Sequence, residues 1–350
     1  MNLNLLKNLC ETPGVPGREE RVRDLIEKSI PGLFDKVETD AMGSLICTSY
    51  STKKNKEGTK TALVCAHMDE IGFYVRYIDK NGFLWVSPAG GFDTRNLFSR
   101  RVLVCTPSGD FEGVMNPGGK PIHISSPEDR KKVPEVSEFF IDLGLDIKDV
   151  NKRISIGDFV VMNEPFLEQK KKIVSKAIDN RMACFVAIEA MKKIKSSKSA
   201  HGVNIVVAFT VQEEVGLRGA QVAANQTSAD YGIGLDVTLS CDTPGVPDSE
   251  SVTRHGEGVG IMLQDSSMIA DYKLVEEACS VARSKKINYQ RCILPRGGQD
   301  GAAIQKSGSG AKVLALVCGT RYIHTVTESI DKKDLKSTID LLSSFLLSLK

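Results

Sequence analysis

The chain is short of net charge. Its 350 residues carry 46 basic and 44 acidic side chains, a balance of +2. A strongly basic face of the kind nucleic acid demands is therefore not written into the composition. The basic runs STKKNKEGTK (51–60), EDRKKVPE (128–135) and EQKKKI (168–173) are local, and read as solvated loops and strand edges. No apolar stretch approaches the ~20 residues of a membrane span, so neither nucleic acid nor membrane is an expected partner. Residues 1–14, MNLNLLKNLCETPG, lack a basic segment followed by a long apolar one, and no signal peptide is expected. The nine cysteines are odd in number and include no C-x-x-C pair, which argues against a disulfide framework or a zinc ribbon. Several lie inside apolar runs, as in ALVCAHMDE and LALVCGT, the pattern of buried, reduced thiols in a cytoplasmic protein. Histidine is scarce, with five in the chain, so where each one falls carries weight.

The remaining composition is that of a globular protein, 41% hydrophobic and 26% charged. The length suits two domains. Residues 2–10 read as a short helix stopped by TPGVPG, and REERVRDLIEKSI (18–30) as an amphipathic helix. KVETD and GSLICTSY read as strands about a turn at Met42-Gly43, and TKTALVCAH (59–67) as a buried strand ending in a histidine. From about 72 to 166 the texture changes to short β-like runs divided by Gly and Pro turns, which suggests a small β-barrel or sandwich. Strands and helices then alternate: helix 179–195, strand 203–210, helix 217–224, strand 231–238, and a closing helix in DKKDLKSTIDLLSSFLLSL. Such alternation predicts an α/β domain with helices on both faces of a sheet. The expected organisation is a domain of 1–71 plus 167–350 carrying a β-rich insertion, 72–166.

In the α/β part, the ionisable residues gather where strands give way to loops. They are His67 and Asp69 in VCAHMDEIGF, Asp179 in KAIDNRM, Glu213 and Glu214 in VQEEVG, Asp236 in GLDVT, and His324 in RYIHT. Taken singly, each has an ordinary role: a satisfied core histidine, a turn former, a helix N-cap, a solvated turn, an Asx turn or an exposed strand residue. Together they place metal-type ligands at five junctions, where open α/β sheets bind ligands. Two His and several carboxylates, with no Cys, form the mixed donor set that takes Zn²⁺, Co²⁺ or Mn²⁺. Neighbours on a strand point to opposite sides. One of Glu213 and Glu214 is then expected to ligate a metal while the other handles a proton, as a two-metal hydrolase requires. His123, His201 and His255 lie in polar or Gly-rich loops and are not expected to act.

These segments, in this order, resemble those of the M42 aminopeptidases, di-metal enzymes related to the M28, M18 and M20 peptidases. AHMDEIGF is similar to the family's H-x-D-E-x-G-F motif, AIDNRMACF to its bridging-Asp motif, and VQEEVGLRGA to its E-E-V-G motif; GLDVT and RYIHT resemble the remaining ligand segments. The resemblance implies a three-layer α/β/α metallopeptidase domain of the phosphorylase/hydrolase-like kind, with an inserted small β-barrel that serves dimerisation. It implies two divalent ions, Zn or Co in first place and Mn as an alternative. His67 and Asp236 would hold one, Glu214 and His324 the other, and Asp179 would bridge them. Glu213 would be the general base, and Asp69 would orient His67. The peptide bond after Asp179 is expected to be cis. Short peptides would be the substrates, and dimers growing to dodecamers the assembly.

One loop departs from the family pattern. In LPRGGQDGAAI (294–304), Gln299 stands where the family commonly has Thr, which puts substrate preference in question. Arg254, Arg296 and Arg321 would each suit an acidic N-terminal side chain. Two rival readings are a di-metal amidohydrolase acting on a non-peptide acyl-amide, and a scaffold that kept the fold without turnover. The intact ligand set and base argue against the scaffold.

Overall fold

Thr61–His67 is apolar on both faces and lies in the middle of the larger sheet. Ala62, Val64 and Ala66 enter the core on one side, and Leu63 and Cys65 enter it on the other. That period-2 division requires helices on both faces of the sheet. They are present. Asn4–Glu11, Glu20–Ser29, Ile178–Ser197, Tyr272–Lys285 and Lys332–Ser348 supply the first core, where Leu6, Ile26, Phe185 and Phe345 are buried. Arg218–Thr227 and Gly301–Lys306 cover the second face with Ala220, Ala223 and Ile304. The computed structural model describes residues 2–53, 58–197 and 199–350; residues 54–57 of the basic run 51–60 lie outside the described residues.

Four strands in the middle of the sheet run parallel: Asn204–Thr210, Thr61–His67, Tyr231–Leu239 and Lys312–Arg321, in that spatial order. Their carboxyl ends therefore open on one edge, the edge where this type of sheet binds ligands. Lys36–Thr39 and Leu45–Ser49 extend the sheet antiparallel on one side, turning through Gly43 at φ +103°. On the other side Glu328–Asp331 and Lys172–Ser175 pair antiparallel, with Ser175 opposite Glu328. These two short strands were not anticipated, nor was the parallel pair Val259–Gln264 with Tyr289–Ile293. Each is brief and flanked by charged or Gly residues, so its periodicity is hard to read.

The insertion closes on itself. Gly72–Ile78, Leu84–Ala89, Phe139–Asp142, Gly109–Pro117, Arg100–Thr106 and Phe159–Met162 follow one another around a six-stranded barrel. Phe73, Val86, Val104, Met115, Phe139 and Ile141 fill its interior. Closure leaves no strand edge unpaired. Asp146 caps an unanticipated helix, Ile147–Arg153, by accepting the N–H groups of Lys148 and Asp149. All nine cysteines are free thiols, and eight of them are buried. Among the described residues, no helix is long and apolar enough to cross a membrane.

Candidate active site

The parallel strands deliver their residues differently from the sequence expectation. His67 does end its strand, opposite Thr210. Asp236 does not: its strand runs on to Leu239, and Asp236 sits inside it opposite Val317. Asp179 lies at the head of the helix Ile178–Ser197, where it and Asn180 depart from helical geometry, and the peptide between them is cis. Glu213 and Glu214 are not strand neighbours. The strand ends at Thr210, Gln212 takes a left-handed φ of +56°, and both glutamates follow in a turn. Their separation comes from this turn, which Asp69 holds. Its two buried carboxylate oxygens accept the N–H groups of Glu213 and Glu214, each at 3.1 Å.

All seven expected residues converge. His67 Nε2 lies 3.2 Å from Asp179 Oδ1 and 3.9 Å from both Glu213 Oε2 and Asp236 Oδ1. His324 Nε2 lies 3.4 Å from Glu214 Oε2 and 3.5 Å from Asp179 Oδ2. Three triads have ligand atoms within 4.8 Å of one another: His67–Asp179–Asp236, Asp179–Glu214–His324 and His67–Glu213–Glu214. Glu213 is thus near enough to be a ligand as well as a base. Asp69 faces His67 less directly than expected. The contact at 3.1 Å to His67 Nδ1 is made by the Asp69 backbone carbonyl, with the carboxylate at 3.5 Å.

The charges do not balance among themselves. Four buried or half-buried carboxylates, Asp179, Glu213, Glu214 and Asp236, face two imidazoles, and Glu214 Oε1 is buried without a hydrogen-bond partner. Burial opposes a charge on His324, but the Asp179 and Glu214 carboxylates outweigh it and push its pKa up to about 11. Burial also works against a charge on His67, and Glu213, Asp179 and Asp69 more than reverse it. Glu213 itself is raised, first by burial and then by Asp236, Asp300 and Glu214, against the pull of His67. A pocket that draws positive charge this strongly and offers nitrogen and oxygen donors fits divalent cations.

Further buried acids support these residues, and sequence reasoning missed them. Glu328 accepts the N–H of Asp179 at 2.9 Å and that of His324 at 2.8 Å. Glu19 accepts the N–H groups of Gly17 and Gln212 at 2.8 and 3.0 Å. Asp300 accepts the Thr210 hydroxyl at 2.5 Å. Glu70 is held by Lys176 at 2.6 Å and by the fully buried Arg181 at 3.4 Å. Glu19 falls in the segment read as an amphipathic helix, and Glu328 just ahead of the closing helix, where nothing marks either as part of a site. The available signal was position: Glu328 follows His324 by one turn's length, and Glu70 adjoins Asp69.

The M42 glutamyl aminopeptidase family matches residues 43–341. The chain belongs to this family. Among solved structures, an aminopeptidase from the archaeon Desulfurococcus kamchatkensis is 34% identical with a TM-score of 0.92, covering 99% of this chain and 94% of that one. The TET1 peptidase of Pyrococcus horikoshii, which can assemble into a tetrahedron or a large octahedral shell, is 30% identical with a TM-score of 0.87, covering 99% of each chain. The lysyl aminopeptidase of Pyrococcus furiosus is 29% identical over 99% of this chain and 97% of its own length. Membership of the family makes this chain an aminopeptidase.

Beside the cluster lies a cleft of about 540 Å³. Leu217, Val237, Leu239, Leu294 and Ile323 line it with Ser266, Ser267 and Arg296. Of the three arginines singled out, Arg321 is clasped by Asp242 at 2.6 and 2.8 Å and Arg254 is paired with Asp248 at 2.5 Å, which leaves Arg296 on the cleft wall. Gln299, the departure from the family pattern, does not face the cleft. It is buried, donating from Nε2 to Asp265 at 3.1 Å while its Oε1 accepts the N–H of Gly301 at 2.6 Å. Asp265 in turn accepts the N–H groups of Ser267 and Met268, both at 2.7 Å. Gln299 therefore shapes the cleft through the loop carrying Ser266 and Ser267 and through its own neighbours Gly297 and Gly298, which also line it.

Proposed function

We propose that this aminopeptidase is metal-dependent and removes N-terminal residues from short peptides. One observation carries the reading: the two oxygens of Asp179 face different imidazoles, Oδ1 toward His67 and Oδ2 toward His324. A carboxylate so placed suits two ions at once. His67 and Asp236 would hold one, Glu214 and His324 the other, with Asp179 shared. Zn²⁺ or Co²⁺ suits these donors, and Mn²⁺ accepts them too. When bound, such ions supply Lewis acidity and lower the pKa of a water. The chain's own part is proton transfer and positioning. Glu213 would take the proton from the attacking water and return it to the leaving amine. Asp69 would keep the Glu213 backbone in place during that exchange. The surplus of carboxylates beside the cleft would attract a free α-amine, which makes N-terminal residues the ones released.

The remaining proposals concern organisation. Residues 1–71 with 167–350 would be the catalytic unit and 72–166 the unit that joins subunits. Phe98, Val114, Ile122, Ile124 and Val133 are apolar and exposed on the insertion, as an interface between copies requires. A homo-oligomer, from dimer to dodecamer, is consistent with the assembly of the P. horikoshii relative. Free thiols throughout suit the reducing cytoplasm.

The test is mass spectrometry of one mixed short peptide, free and N-acetylated, with protein reconstituted in Co²⁺ or Zn²⁺. Stepwise loss of N-terminal residues from the free peptide alone is expected. No cleavage of either peptide with both ions bound would refute the proposed substrate.

A further inference from the structure

We infer that Glu328 is a positioning residue that sets Asp179 and His324 against each other as one unit. The inference rests on the reading of those two side chains as metal ligands. The geometry is specific. Glu328 is 2% exposed, and its two oxygens are divided: Oε2 accepts the backbone N–H of Asp179 at 2.9 Å, and Oε1 accepts that of His324 at 2.8 Å. The two amides belong to segments 145 positions apart, brought together through this carboxylate, through the strand pairing that places Ser175 opposite Glu328, and through the side chains of Asp179 and His324 themselves.

Both segments need holding. Asp179 lies outside helical geometry at φ −76° and ψ 104°, although it heads a helix. His324 has φ +63°, and Tyr322 has φ +61°; this left-handed region is costly for a side chain without a compensating contact. The His324 N–H has no other acceptor among the described residues, so without Glu328 a part-buried donor is left unpaired at a strained residue. A backbone shift there would move His324 Nε2 away from Asp179 Oδ2 and Glu214 Oε2 together. Asp69 does the matching work for Glu213 and Glu214. Two buried carboxylates thus fix four backbone N–H groups, and all four belong to residues of the cluster.

The experiment is calorimetric titration of metal-stripped protein with Zn²⁺, for the wild type, Glu328→Gln, Glu328→Asp and His324→Ala. Glutamine keeps the shape but turns one acceptor into a donor that opposes an N–H. Aspartate keeps the charge but is too short to reach both amides. Positioning predicts that the ion held by Glu214 and His324, which loses two positioned ligands, weakens ~10–100-fold in both variants, while the ion held by His67 and Asp236, which shares only Asp179 with it, weakens less. Excess Zn²⁺ then restores turnover of the Gln variant. Unchanged affinity at both sites in Glu328→Gln and Glu328→Asp, with one ion lost in His324→Ala, overturns the inference and leaves the ligand reading standing. Equal weakening of both ions with a lowered melting temperature also overturns it, because that is the signature of general destabilisation. Unchanged binding in His324→Ala removes the ligand reading and the inference with it. If the Gln variant does not fold, the Asp variant alone decides.

Discussion

Asp69 Oδ1 accepts the backbone N–H of Glu213 at 3.1 Å, and Asp69 Oδ2 does the same for Glu214. The side chain expected to orient His67, at 3.5 Å from its Nδ1, also fixes the turn that carries the two glutamates, while the Asp69 backbone carbonyl contacts the same nitrogen at 3.1 Å. Asp69→Asn puts an amide N–H₂ against one of the two donors and leaves that carbonyl in place. Activity should fall ~10–100-fold, and the fall should appear in kcat more than in affinity for the ion held by His67. Steady-state kinetics beside metal titration would show it. Equal loss at the His67 ion would make the orienting of His67 the larger part of what Asp69 does.

Glu213 and Glu214 are adjacent in sequence and differ in surroundings. Glu214 Oε2 lies 3.4 Å from His324 Nε2, whereas Glu213 Oε2 lies 3.9 Å from His67 Nε2. Glu213→Gln should cost ~10²–10⁴ in kcat with two ions still bound. Glu214→Ala should lose an ion. Elemental analysis of each purified variant together with its turnover separates the two roles. Because Glu213 also falls within a ligand triad with His67 and Glu214, loss of metal in Glu213→Gln would assign it as a ligand instead of the base.

What the sequence could show follows from what repeats in it. The parallel core was legible because Thr61–His67 and Lys312–Arg321 are continuous apolar runs. The barrel was legible from evenly spaced turns, and the cluster from the placing of two scarce histidines. Alternation within a strand was the wrong rule for Glu213 and Glu214, because a left-handed residue at Gln212 intervenes and nothing in VQEEVG marks it. Glu328 and Glu19 were illegible for a different reason. A carboxylate serving distant backbone amides has no sequence partner, and ESID, buried at all four positions, gives no alternation to read.

Half-buried His255 should leave a trace in acid. Lys172 Nζ lies 2.6 Å from its Nδ1. Burial, then Lys172 and Arg321, lower its pKa to about 4, against the weaker opposing pull of Asp242 and Asp331. The unfolded chain binds this proton near pH 6.5. Between pH 6.5 and 4 the unfolded state therefore holds more protons at this site than the folded one, and the contribution of His255 to stability falls as pH falls. Solvent screening at this partly exposed ring holds the effect to the order of 1–2 kcal/mol across that window. Urea denaturation at stepped pH should give a shallower decline for His255→Gln than for the wild type. Parallel curves would show that His255 titrates normally in the fold.

Gly234 and Gln299 share a space that admits one side chain. A Cβ on Gly234 would stand 1.7 Å from Gln299 Oε1 and 3.0 Å from the backbone N of Gly301. Gln299 cannot simply swing aside, because both ends of its amide are engaged, with Asp265 and with Gly301. Gly234→Ala should therefore destabilise by ~1–3 kcal/mol and loosen the loop at Ser266 and Ser267 on the cleft wall. Gln299→Ala alone removes the obstruction and also the hydrogen bonds, and should cost ~1–3 kcal/mol through the Asp265 oxygen and Gly301 N–H left unpaired. Made together, the two changes should cost less than their sum, by ~0.5–3 kcal/mol, because the new methyl occupies the volume that Gln299 vacates. Denaturant melts of the two single variants and the double variant would measure that coupling. Strict additivity would mean that the strand and the loop relax independently, and that the glycine is there for some reason other than Gln299.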